Sequence, residues 1–155
     1  MFPLTRGMDE FFMMRALDEA RVAAVGGNVP IGAVVVRNKE IIGHGHNEKT
    51  VDPTGHAEIL AIRDACCRIG HWNLRGCSLY VTVEPCPMCA GAIVQARISN
   101  LVYGASDPKA GACGSLYNIP SDPRLNHRSD IRSGVCAEEC VKLLQEYFLS
   151  KRAVK

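Results

Sequence analysis

His56-Ala57-Glu58 and Pro85-Cys86-Pro87-Met88-Cys89 each stand at the start of a predicted helix, thirty residues apart. A C-x-x-C pair alone fits a redox dithiol, half a zinc ribbon or chance. Joined to an upstream H-x-E it becomes specific, because thiolate and imidazole together suit one Zn²⁺ ion. Cys86 and Cys89, three apart on a first helical turn, point the same way. The helix N-terminus also lowers their pKa toward the metal-binding thiolate. A fold that uses all three must bring the two helix starts to one point.

The ligand count decides the kind of site. His56, Cys86 and Cys89 supply three donors, and no second C-x-x-C supplies a fourth. A structural zinc site is normally closed by four protein ligands, whereas a catalytic one keeps a position for water. His44, His46 and Cys113 lack helpful spacing and read as solvent-facing or core residues. Glu58 places a carboxylate beside the open position. Zinc lowers the pKa of its water toward ~7, and a neighbouring carboxylate then shuttles protons. The expected chemistry is activation of water.

The rest of the chain predicts an α/β sheet with helices on its faces. Phe12, Met13, Leu17, Ala20 and Ala24 are spaced as one face of a helix over Met8–Ala24, which Gly26-Gly27-Asn28 stops. Ile31–Arg37 and Glu40–Gly43, joined by Asn38-Lys39, read as a hairpin. Thr54 is the expected cap of a helix reaching Ile69. A strand over Ser78–Val83 leads into the helix Pro87–Ala96, whose Pro87 suits a first turn. A strand over Asn100–Tyr103, a loop over 104–118, an edge strand before Gly134 and a helix over Val135–Lys151 complete the reading. With no linker or repeat, residues 1–155 are expected to form a single domain.

Lys+Arg of 18 against Asp+Glu of 16 excludes a polybasic nucleic-acid binder, although not a local basic patch. No apolar run approaches the ~18 residues of a membrane span. The segment Met1–Arg6 shows no signal peptide, so a cytoplasmic protein is expected. Eight cysteines suggest no disulfide scaffold, which would be shorter and secreted. Cys66, Cys67, Cys136 and Cys140 fall in predicted helices and read as small hydrophobes.

H-A-E followed by P-C-P-M-C resembles the signature of the zinc-dependent nucleoside and nucleobase deaminases. Further segments narrow the likeness: Asn28–Val34, His46-Asn47, Leu79–Pro85, Ala90-Gly91-Ala92, Gly114-Ser115-Leu116 and Asn126-His127-Arg128. With these, the chain from about Asp9 to Arg152 is similar to the bacterial tRNA-specific adenosine deaminases, which convert a wobble adenosine to inosine. The resemblance implies a three-layer α/β/α cytidine-deaminase-like fold with a mixed sheet of about five strands. It implies one zinc per subunit on His56, Cys86 and Cys89, Glu58 as catalytic proton shuttle, and a homodimer acting on a tRNA anticodon stem-loop. Asn47 would hydrogen-bond the flipped base, Ile31 and Pro85 would bind substrate, and the Ala57 N–H would face the purine. Asn126, His127, Arg128 and Arg152 are candidate RNA contacts, while Asp107 and Lys109 either reach RNA or are plain loop polars. Glu84 is expected to brace the metal loop through backbone hydrogen bonds. Asn28 and Gly55 depart from the common family residues, and Gly55 is expected mainly to add backbone freedom.

Charge distribution agrees with an RNA substrate. Residues 124–155 carry seven Lys/Arg against four acids, and the remaining 123 residues carry eleven against twelve. Phosphate contacts need such charges. Three rivals stay open. A free-base or nucleoside deaminase would share both motifs without needing the basic segment. A non-catalytic zinc or RNA-binding module has no use for Glu58. A thiol oxidoreductase leaves His56 and Glu58 unexplained.

Overall fold

The computed structural model describes residues 6–153. Helix α1 (Arg6–Val25) is followed by strands β1 (Gly32–Arg37) and β2 (Glu40–His46), helix α2 (Ala57–Ile69) and strand β3 (Ser78–Val83). Then come α3 (Pro87–Gln95), β4 (Asn100–Ala105), a 3-10 turn (Ile119–Ser121), β5 (Asp130–Arg132) and α4 (Ala137–Ala153). The sheet order is β2-β1-β3-β4-β5, with β1 antiparallel to β2 and β3, and β3-β4-β5 parallel. The hairpin turns at Asn38 (φ 51°) and Lys39 (φ 65°). Two consecutive positive φ values make the turn whose twist matches the flanking strands.

The apolar runs of the strands are buried on both faces because helices cover both. Side chains alternate across a strand, so Ala33, Val35, Leu79, Val81 and Leu101 join one core with α2 and α3. Val34, Val36, Tyr80 and Val102 join the other, with Phe12, Met13 and Leu17 of α1 and Cys140 of α4. The fold is the expected three-layer mixed sheet.

Since β2 and β3 both run antiparallel to β1, the strands β2, β3, β4 and β5 share one direction. Their carboxyl ends lie along one edge, together with the start of β1. The connections that leave those ends carry the N-termini of α2 and α3. Asn47, His56, Glu84, Cys86 and the residues before Gly32 therefore meet at one rim, where open α/β sheets present their ligand sites.

Close helix–sheet contact depends on β2 glycines. A Cβ on Gly45 would lie 2.6 Å from both the Ala57 carbonyl oxygen and the Ala61 nitrogen, both backbone atoms of α2. Gly45→Ala is expected to lower stability by about 1–3 kcal/mol, as overpacking does. Thermal melts of the two proteins check this.

One boundary differs from expectation. Thr54 does not cap α2: its amide and hydroxyl both donate to Asp52 Oδ1, at 2.9 and 2.7 Å. The cap position falls to His56, whose side chain makes no capping bond. Gly55 likewise serves close approach, since a Cβ there would collide with the Glu48 carbonyl.

Candidate active site and metal centre

His56 and Cys86 occupy the N-cap positions of α2 and α3, both with extended backbone, and Pro87 opens α3. The extended cap turns each side chain off its helix axis and into the rim. His56 Nδ1 lies 3.6 Å from Cys86 Sγ and 3.5 Å from Cys89 Sγ. Among the described residues, these three are the His, Cys, Asp or Glu side chains whose donor atoms all gather within 4.8 Å. A tetrahedral zinc bound at about 2.3 Å to sulfur and about 2.0 Å to nitrogen spans roughly 3.5 Å between them. The cluster fits that ion in spacing and in donor chemistry.

The protons agree. A hydrogen bond from the Cys89 thiol, then one from His56, brings the Cys86 thiol down to about 4, a thiolate at neutral pH. The same bond to Cys86, together with burial, pushes Cys89 up. Glu58, one residue beyond Ala57 on the first turn of α2, is 4% exposed. Burial pushes its carboxyl up to about 7, and it hydrogen-bonds with Cys89. A carboxyl near neutrality is suited to accept and return a proton.

Asn47 is buried, and its Oδ1 accepts the Ala57 N–H at 2.9 Å. A backbone N–H only donates, so Nδ2 is the side-chain group left to donate elsewhere. The Ala57 amide, expected to face a purine, is thus spent on Asn47. Ile31 is half-buried against the α2/α3 core, its carbonyl accepting the Asn47 amide at 3.1 Å. Pro85 is buried, with its carbonyl accepting the Ala112 amide at 2.9 Å.

Glu84 follows β3 and is 3% exposed. Its carboxylate accepts the amides of Asp107, Cys113 and Ser115 at 3.0–3.1 Å and the Ser115 hydroxyl at 2.5 Å. Burial raises this carboxyl, but the bonds from Ser115, Asp107 and Cys113 outweigh it and hold it below the usual range. The loop after β4 is thereby hung on the residue that precedes the ligand turn. Asp107 also accepts the Lys109 and Ala110 amides, and the Lys109 side chain is exposed.

Asn126, Arg128 and Arg152 are exposed. His127 is corrected: it is 8% exposed, and its Nε2 donates to the Ile98 carbonyl at 2.6 Å. The alternation that brings Ser129 onto the same carbonyl turns His127 inward with it. Cys113, too, sits inward, its thiol donating to the Pro85 carbonyl. Sequence reasoning missed the group of buried Asp9 and Tyr80 with half-buried Arg132: Tyr80 donates to Asp9 at 2.8 Å, and Arg132 pairs with the same carboxylate. It joins α1 to β3 and β5, and an acid in a first helical turn gave no sign of it.

A His/Cys/Cys cluster with a buried glutamate, at the carboxyl edge of a mixed sheet, defines a metal-dependent deaminase of the nucleobase type. The MafB19-like deaminase family matches residues 8–150. A curated tRNA-specific adenosine deaminase of Bacillus subtilis is 47% identical over 149 residues, covering 95% of this chain and 92% of that protein. A structure from a study of A-to-I editing by tRNA:A34 deaminases at the wobble position of transfer RNA superposes with a TM-score of 0.83. It is 46% identical and covers 86% of this chain and 99% of that one. The structure of guanine deaminase from Bacillus subtilis is 45% identical with a TM-score of 0.61, over 63% of this chain and 64% of that one. The chain belongs to the family of the tRNA-specific adenosine deaminases.

Proposed function

We propose that this protein hydrolyses the wobble adenosine of a tRNA anticodon loop to inosine, releasing ammonia. The observation that carries the chemistry is the three-donor cluster with the buried Glu58 carboxyl beside it. His56, Cys86 and Cys89 would hold one zinc per subunit, which would supply Lewis-acid activation of water. Glu58 would accept one water proton and deliver it to the purine ring nitrogen, then take the second proton from the oxygen added to the carbon and pass it to the departing amine, which leaves as ammonia. The water oxygen ends on the carbon that carried the amine. Asn47 donates from Nδ2 to an acceptor on the flipped base, and Ile31 and Pro85 lie beside it. An unstacked loop base is cheaper to extrude than a paired one.

The exposed Asn126, Lys109, Arg128 and Arg152 would face the RNA, with Asp107 shaping the Lys109 turn. Met88, Leu116 and Tyr117 leave apolar surface exposed beside the ligand turns, which supports a homodimer. No helix of the described residues is long and apolar enough to cross a membrane. A tRNA substrate implies a cytoplasmic enzyme.

The deciding experiment incubates the pure protein with an adenosine-wobble anticodon stem-loop and scores inosine, with free adenosine, cytidine and guanine as controls. Inosine in the stem-loop alone supports this reading; turnover of guanine alone overturns it in favour of the guanine deaminases.

Charge reversal at Arg128, Lys151 and Arg152 together is expected to weaken stem-loop binding and flatten its salt dependence, with zinc content unchanged. Each phosphate that is no longer neutralised takes ~0.7–0.9 off the slope of log K against log salt. Filter binding from low to moderate salt measures it, and an unchanged slope removes these residues from the interface.

A further inference from the structure

Strand β2 runs between two helices, and its side chains alternate between them. Gly43 and Gly45 face α2, whose backbone a Cβ on either would meet at 2.5–2.6 Å. His44 and His46 face the other way, and both reach Glu19 of α1. His44 Nδ1 lies 2.7 Å from Glu19 Oε1, and His46 Nδ1 lies 2.8 Å from Glu19 Oε2. One carboxylate therefore grips two strand residues, each through its own oxygen. The Glu19 side chain is only 19% exposed, and α1 is seated so closely that a Cβ on Gly32 would touch Glu19 Cβ. The His46 ring goes on to Glu48 Oε1 at 3.1 Å through Nε2. On the His44 side, Asp64 of α2 accepts the His44 amide at 3.0 Å.

The residue after His46 is Asn47. The same alternation turns it back to the α2 side, where Oδ1 holds the Ala57 N–H. The end of β2 is thus fixed from both faces: by Glu19 through the His46 ring, and by the α2 N-terminus through Asn47. We infer that Glu19 is a positioning residue for Asn47, acting through His46 to set where Asn47 Nδ2 meets the base. This rests on the base-contacting role proposed above for Asn47. Without the carboxylate, the His46 ring keeps no partner on α1 and the strand end is tied down from one face only. A misplacement of about 1 Å is enough to cost up to ~10²-fold in rate.

A double-mutant cycle on kcat/KM for the stem-loop tests the inference, using Glu19→Ala, Asn47→Ala and the pair. Neighbours that act through one another are non-additive, whereas independent sites add. Glu19→Ala alone is expected to lower kcat/KM about tenfold, and by less than twofold when Asn47 is already alanine. His44→Ala leaves His46 on Glu19 and is expected within twofold of wild type. Zinc content and melting temperature are measured on every variant; should Glu19→Ala melt early, Glu19→Gln, which keeps the volume, takes its place in the cycle. Equal losses in both backgrounds, no loss from Glu19→Ala, or a His44→Ala loss as large as that of Glu19→Ala each overturn the inference. If the wild type acts on guanine instead of the stem-loop, the functional reading fails on that result alone. The cycle is then run on guanine and decides the positioning role by the same criterion.

Discussion

Glu58→Gln is expected to leave a folded protein that holds zinc and binds the stem-loop but turns over ~10²–10⁴-fold more slowly, or worse. Glutamine keeps the size and most of the packing of a side chain that is 4% exposed, but it cannot accept and return a proton at neutral pH. As the proposed shuttle the carboxylate would serve successive transfers, from water to the ring nitrogen and from the added oxygen to the amine, so its loss would be felt in the chemical step. A purely structural Glu58, tied to Cys89 across the cluster, would behave otherwise. Its replacement would lower zinc occupancy or melting temperature and spare the rate per bound metal. Zinc content, RNA affinity and single-turnover rate on one preparation separate the two, and intact zinc with a near-native rate would refute the shuttle.

Cys86→Ser is expected to cost more than the ~10–100-fold in zinc affinity typical of outer-shell changes, and activity should fall with the metal. The Cys86 sulfur is a softer ligand than a hydroxyl and is already ionised here, at a pKa of about 4. Because His56 and Cys86 come from different helix starts, an ion held by both would join two crossovers. Chelation of the wild type should therefore lower the melting temperature, and added zinc should restore it. Cys67→Ser, at an exposed position on α2, should do neither. The metal-free cluster has a sign of its own. Cys89 is raised by its bond to Cys86 and by burial, so zinc must displace its proton, and affinity should rise with pH over the neutral range. Isothermal titration at two pH values, corrected for buffer ionisation, reads this.

Much of the fold was legible because it is periodic. The helix face of α1, the hairpin with Asn38-Lys39, and the alternation of strands with helices each follow from local pattern. The His56, Cys86 and Cys89 cluster was legible for a different reason, a rare set of donor types at a spacing that two helix starts can satisfy. What escaped was non-local or competitive. Thr54 looked like a cap, but Asp52, two residues away, captured both of its donors. His127 was a candidate RNA contact beside Asn126 and Arg128, yet the period of two across 126–129 turned it inward with Ser129, onto the same Ile98 carbonyl. Glu19 and His46 are 27 residues apart in the chain, and nothing in either neighbourhood announces the other. Asp9 and Arg132 are farther apart still.

The way Glu84 holds the loop after β4 bears on how such a protein can diversify. Three of its four bonds go to main-chain amides, of Asp107, Cys113 and Ser115. Every residue except proline offers that donor, so the anchor makes little demand on the side chains strung between its points, except at Gly111, where a Cβ would collide with the Glu84 carboxylate. Lys109 within the tethered segment, and Leu116 and Tyr117 just after it, are all exposed. The rim around the His/Cys/Cys cluster can therefore change its chemical character at Lys109 and at the other positions that carry no such close contact, while its path relative to Cys86 stays put. The outer surface and the His/Cys/Cys cluster are thus separable parts, joined at one carboxylate.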